Sequence, residues 1–308
     1  MTKLQKLLQQ YFAPFRRSGH SLTETGHGTG CIKQPKWKIK LHRAMRAKHK
    51  TIGAAPFDWV KGWDCEETTG VKFPIKNQNG AGECGGCAGS RFLEIVRTIL
   101  GVPFEEVSEK SIYAPNAVQG GGMSMQALEN QIANKGANSQ ADVPSWNNGF
   151  PPTEQFAEDK TWMTPELLQK AMLRAGWTAK TVAIDRESIA QAIRDYGAVI
   201  WIIEGSNNNT WNSQFPKHPV KGEQTWWHFM CSKGAIGNQI NKYQSWGLMN
   251  GTTPIGLNGI QSFTDDYINS GYIHDVFTFF PTTQQAQKST LIALIYRLMQ
   301  LLGILQKQ

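Results

Sequence analysis

The chain has 308 residues, 40% of them hydrophobic and 18% charged, which excludes disorder along its whole length because disorder needs low hydrophobicity and high charge. Eleven Trp and 30 Gly point to a packed, loop-rich protein and away from a helical bundle. The formal charge of +8 is uneven: residues 1–50 hold twelve Lys and Arg against one acid, Glu24, a net +11, and the other residues sum to −3.

The start, Met1-Thr-Lys-Leu-Gln-Lys-Leu-Leu, lacks the apolar core of a secretory leader. The expectation is a cytoplasmic protein or a component of a larger assembly. Gly19 to Gly30 reads as loop, and Lys33 to Lys50 as a basic run around Trp37. In residues 88–100 the apolar positions Phe92, Ile95, Val96 and Ile99 have helical spacing, stopped by Gly101 and Pro103. Ser124 to Lys135 predicts a second helix, and Thr164-Pro165-Glu166 caps a third over 165–175. A β-branched run from Thr178 to Ile184 predicts a strand, 186–196 a helix, and Ala198 to Ile203 a buried strand. Beyond residue 220 the pattern is strands and turns, at 226–232, 239–246 and 271–280. Helices dominate the first half and strands the second, so the expectation is α+β with a cleft between two lobes.

After Pro281 comes a polar linker, then Leu291, Leu294, Leu298, Leu301 and Leu305 in 3-4-3-4 spacing. A helix docked on its own body, self-association or partner docking through 291–305, and membrane contact are its three readings. No run reaches the ~18 apolar residues of a membrane span.

The five cysteines are Cys31, Cys65, Cys84, Cys87 and Cys231. An odd count argues against a full disulfide framework and leaves room for one working thiol. Cys84-Gly-Gly-Cys87 follows a glycine-rich loop and opens the helix at 88–100. A helix N-terminus favours a thiolate, so Cys87 suits a nucleophile; structural cysteines are the alternative. No second Cys-x-x-Cys or close His pair supports zinc, and no βαβ pattern supports a redox pair, so no cofactor or metal is expected. Downstream, His228 lies in the aromatic strand Thr225-Trp-Trp-His228-Phe, sixteen residues before Gln244-Ser245-Trp246-Gly247.

At this point the chain resembles the papain-like cysteine proteases. Residues 74–92 are similar to the family's "P-V-K-N-Q-…-C-G-S-C-W-A-F" block, His228 to the histidine of its "H-A-V" strand, Gln244 to Gly247 to "N-S-W-G", and Gly271-Tyr272 to the terminal "G-Y-x-x-I". Ser108-Glu109 and Gly120-Gly121-Gly122 are similar to the "L-S-E-Q" and "N-G-G" segments, giving a likeness over about 55–280. The resemblance implies a two-lobed papain-like fold, with a helical N-terminal lobe, a β-barrel-like C-terminal lobe and the active site in the cleft. It implies that Cys87 attacks the scissile carbonyl, His228 shuttles the proton, and Gln78 donates to the oxyanion. Gln244 stands where the family has the Asn that orients the imidazole, with Trp246 shielding that contact. Gly121 and Gly122 are expected to pair with an extended substrate, with Trp246 and Trp227 also on the substrate side. Besides Gln244, three extra residues lie between Gln78 and Cys84, Ala88 replaces a Trp, and no partner cysteine for Cys84 lies near 110–115, which leaves Cys65 or a reduced thiol.

The expected organisation is a basic arm over 1–50, a papain-like domain over 51–281 (helical lobe about 75–150, β lobe about 165–281) and an amphipathic helix over 282–308. The arm is read as a docked extension, a binder of nucleic acid or an acidic surface, or a removable segment over the cleft. The expected function is a cysteine endopeptidase acting on peptide or protein. The alternatives are non-peptide amide hydrolysis and a catalytically weak papain fold that serves as a binding component.

Overall fold

A computed structural model describes residues 21–23, 28–48, 55–146, 149–250 and 252–302. Its centre is one eight-stranded sheet. In chain order the strands are β1 (Ala47–Lys48), β2 (Trp63–Asp64), β3 (Trp177–Thr181), β4 (Ile200–Ser206), β5 (Thr225–Ile236), β6 (Gln239–Tyr243), β7 (Ile260–Phe263) and β8 (Ile273–Pro281). The spatial order is β7-β6-β5-β4-β8-β3-β1, with β2 paired to β5. All pairs are antiparallel except β1 with β3. The order does not return on itself, so the sheet is open. The β-barrel-like closure expected for the second lobe is absent among the described residues.

Four of the helices are α1 (Lys36–Met45), α2 (Cys84–Ile99), α3 (Arg186–Tyr196) and α4 (Thr283–Leu301). The sheet is apolar on both faces because successive side chains point to opposite sides. On β4, Ile200 and Ile202 join one core with Phe92, Ile95 and Val96 of α2. Trp201 and Ile203 join the other with Ile189 and Ile193 of α3. Each such side chain contributes about 1.5–3 kcal/mol by leaving water. The long β5 carries both periods at once: Phe229 and Cys231 face the α2 core, Trp226 and Met230 the α3 core.

The helix expected at 88–100 begins one turn earlier, at Cys84. The other expected helices are Met125–Asn130 extended by a π-helical turn over 131–135, Pro165–Ala171, and α3 capped by the Asp185 side chain. The basic run becomes α1 and β1, and it is docked. Arg43 and Arg46 reach the two oxygens of Asp275 at 2.8 and 2.7 Å, Arg46 also pairs with Glu129, and His42 meets Glu129 at 2.5 Å. All five cysteines are free and buried, so Cys84 does not pair with Cys65, whose sulfur lies 3.3 Å from the Tyr243 hydroxyl. Residues 1–20, half of the loop expected over Gly19 to Gly30, and Leu305 of the leucine stripe lie outside the described residues.

Candidate active site

Three elements meet here: the first turn of α2, the middle of β5, and the loop that follows β6. Glu83 is the last non-helical residue and Cys84 the first helical one. Burial pushes the Cys84 thiol up to about 11, while the amides of Phe229, Gly30 and Gly85 act on the sulfur to lower it. The Gly30 amide stands 3.4 Å from that sulfur. Phe229 directly follows His228 on β5, so Cys84 meets the backbone of the strand that carries the histidine. Cys87 sits one turn deeper, its own amide already bonded to the Glu83 carbonyl at 3.0 Å. It lines a small cavity with Ala88, Arg91, Phe229, Cys231 and Gln244. Burial and the nearby carboxyls of Glu83 and Glu109 drive its thiol pKa well above the ordinary value. The sulfur that main-chain amides reach is therefore that of Cys84.

The motif has a second possible register. Taking Cys84 for the nucleophile's position shortens the stretch after Gln78 by three residues, which cancels the three extra residues counted with Cys87. The spacing from Gln78 thus fits Cys84, and the doubled Cys-x-x-Cys offers both members as candidates.

His228 is fully buried, with its ring centroid 5.1 Å from Trp246. Its Nε2 lies 3.1 Å from Gln244 Oε1 and 3.4 Å from Ser245 Oγ. The longer side chain of Gln244 thus reaches the imidazole in the way expected of the shorter Asn. Its other end is fixed too: Gln244 Nε2 donates to Gln261 Oε1 at 3.1 Å. Gln261 Oε1 also accepts from Lys242 Nζ at 3.0 Å, and its Nε2 donates to the Trp211 carbonyl at 2.6 Å. Because Gln261 presents an acceptor, Gln244 must turn its own carbonyl toward His228 and Ser245 N. Lys242 is buried over the Phe263 ring at 4.0 Å, and burial lowers its pKa well below the ordinary value.

Gln78 is brought to the same place. Ser245 Oγ donates to its Oε1 at 2.5 Å, and its Nε2 donates to the carbonyls of Gly28 at 2.9 Å and Ala81 at 2.7 Å. Trp246 Nε1 donates to the Gly28 carbonyl as well, at 3.2 Å. Trp227 stacks on His274 at 4.0 Å, beside Glu204, and belongs to the same buried cluster as Cys84 and Phe229.

The chain's own segment 28–32 fills this site. Gly28 N donates to the Asn79 carbonyl at 2.9 Å. Met123 N donates to the Gly30 carbonyl at 2.7 Å, and Ile32 N to the Met123 carbonyl at 3.2 Å. The pairing expected of Gly121 and Gly122 is thus made by Met123, and by the arm. Gly122 is what lets the chain in: its φ is +93°, and a Cβ there would stand 2.7 Å from the Gly30 carbonyl. A Cβ on Gly30 would overlap the Gly82 carbonyl, so side chains are excluded from both sides of this slot. Glu154 braces the two walls, accepting from Gly82 N and, at 2.5 Å, from the Tyr113 hydroxyl, which itself accepts from Gly122 N at 2.6 Å. Nothing in the sequence pattern marks Glu154, Gln261 or Lys242 as neighbours of the site, since they lie at distant positions.

No family model and no curated protein matches the sequence. Solved structures do match. Xylellain, a cysteine protease from Xylella fastidiosa, superposes with a TM-score of 0.66 at 13% identity, over 88% of this chain and 100% of that one. A procathepsin B from Trypanosoma congolense gives 0.60 at 12% identity, over 92% and 99%. The ragweed pollen cysteine protease Amb a 11 in its proform gives 0.54 at 19% identity, over 79% and 73%. Identities this low speak for architecture alone, and the architecture is the papain-like fold of the cysteine proteases.

Proposed function

We propose that this chain is a cysteine peptidase held latent by its own residues 28–32, with Cys84 as nucleophile in place of Cys87. The observation that carries the reading is the convergence of the Cys84 sulfur, the strand bearing His228, and the amide of Gln78 on one slot already occupied by extended main chain. A peptide in that slot would offer its carbonyl to Cys84. His228 would take the thiol proton and return it to the leaving amine, leaving a thioester on Cys84 that water then hydrolyses. With its Nε2 hydrogen directed at Gln244, the imidazole keeps the other nitrogen for that proton. The Nε2 of Gln78, now on the Gly28 carbonyl, is the donor for the oxyanion, as the resemblance implies. Two of the structural neighbours are described as proforms, which agrees with an arm seated in the cleft.

The test is a thiolate-directed peptidyl epoxide followed by peptide mapping, on the full chain and on Gly30→Val, whose added side chain has no room beside Gly82. Labelling is expected at Cys84 and at least ten times faster in Gly30→Val. Peptide cleavage by Gly30→Val should be lost in the double variant with Cys84→Ala and kept with Cys87→Ala. Label on Cys87 overturns the assignment of the nucleophile. A folded Gly30→Val with neither label nor cleavage overturns the peptidase reading and leaves the papain-like body as a binding component.

A further inference from the structure

Helix α4 is mounted with its apolar side outward. At 3.6 residues per turn, Gln285, Ser289, Ala293, Tyr296 and Gln300 share one side, and this polar or small side is the one in contact with the body. Gln285 and Ser289 are buried, and Ala293, Tyr296 and Gln300 are half-buried. Ala293 packs over Gly101, where a Cβ would stand 3.3 Å away. The opposite side carries Leu291, Leu294, Ile295, Leu298 and Leu301, all exposed. Amphipathic helices of a soluble body ordinarily turn this face inward, and a contiguous apolar patch held in water marks a surface meant to be covered.

Charge indicates the cover. After Asp275 the sequence contains no Asp or Glu, only Lys288, Arg297 and Lys307. Lys288 and Arg297 are exposed on the same helix as the apolar face. A second copy of the helix would bring the same cations and no acid to meet them. The face is also broader than the two positions in seven that a coiled-coil seam uses. No helix among the described residues is long and apolar enough to cross a membrane. We infer that α4 lies flat on an anionic lipid surface, its leucines and Ile295 entering the acyl boundary and Lys288 and Arg297 reaching the headgroups.

Co-sedimentation of the full chain with vesicles tests this, independently of any peptidase activity. Phosphatidylcholine vesicles containing one third phosphatidylglycerol should bind the chain about thirtyfold more tightly than phosphatidylcholine alone, as expected for two surface cations. Leu294→Glu with Leu298→Glu should weaken that binding at least tenfold with no loss of thermal stability, because both side chains are exposed in the free chain. Lys288→Glu with Arg297→Glu should abolish the preference for the anionic vesicles. Equal binding to both vesicles, no binding to either, or a dimer in light scattering that the Leu294→Glu and Leu298→Glu pair splits would each overturn the inference.

Discussion

Gln244 acts through both ends of its amide, and the partner that fixes it is Gln261. Replacing Gln261 by Ala leaves two buried donors, Gln244 Nε2 and Lys242 Nζ, without their shared acceptor. An unsatisfied buried polar group costs about 1–3 kcal/mol, and the amide of Gln244 becomes free to turn. In the Gly30→Val background, Gln261→Ala should lower kcat about tenfold while KM changes little, because no substrate contact is removed. A proportional rise in KM would show that Gln261 acts on binding instead. The Cys84 thiol gives a pH-dependent counterpart. Its pKa of about 11 comes from burial opposed by three amides, so in the intact chain alkylation by iodoacetamide should be slow at neutral pH and climb toward pH 11. Opening the slot in Gly30→Val readmits water, and the alkylation profile should move to lower pH. An unchanged profile would mean that burial under the arm is not what holds the thiol neutral.

At the scale of elements, α1 and the strands are joined by charge. Asp275 on β8 is fully buried and takes both Arg43 and Arg46, and burial holds its carboxyl above the usual range even so. Removing one member of a buried pair leaves the other uncompensated, at about 3–5 kcal/mol. Asp275→Ala is therefore expected to release α1 and expose residues 28–48 to limited proteolysis while the sheet stays folded; protection equal to wild type would show that the slot alone holds the arm. Glu204 on β4 ties three strands and the arm: it takes hydrogen bonds from Thr225 on β5 and His274 on β8, and Lys33 lies 3.9 Å away. Burial opposes its charge, yet these partners hold the carboxyl down to about 2. The stabilisation is complete above the ordinary carboxyl value near pH ~4.3 and is lost as pH falls toward 2. Acid unfolding monitored by circular dichroism should show this limb flattened in Glu204→Gln.

For the whole molecule, the net charge of +8 resolves into an arm of which three described cations face acids of the body, while Lys36, Lys40 and Lys48 are exposed. Lys33, Arg43 and Arg46 meet Glu204, Asp275 and Glu129. Those groups are engaged within the chain, so the expectation of an acidic or nucleic-acid partner gains no free surface from them. Gln34 and Gln126 exchange paired hydrogen bonds at 2.7 and 3.0 Å, so the arm is read by side chains as well as by charge. Among the described helices, α4 keeps a broad apolar outer face exposed.

The sequence by itself determined the class of fold and most of its parts. Helical spacing, caps and β-branched runs follow from local backbone sterics and from the period at which side chains return to one face. Thus α2, α3, β4 and β8 were legible within a turn or a few residues, and Gln78, His228 and Gln244 were legible as one constellation. The tertiary structure decided what depends on which distant groups share space. It brought Cys84 onto the Phe229 amide of β5, because the first turn of α2 starts earlier than apolar periodicity shows. It left the sheet open, since register between strands far apart in the chain carries no local signature. It put Gly28 against Gly80 and Ala81, and Gly30 against Gly82 and Gly122, a fit that exists only where two backbones approach closely. And it turned the leucines of α4 outward, an orientation that amphipathic spacing cannot give because the pattern fixes which residues share a face but not what that face meets.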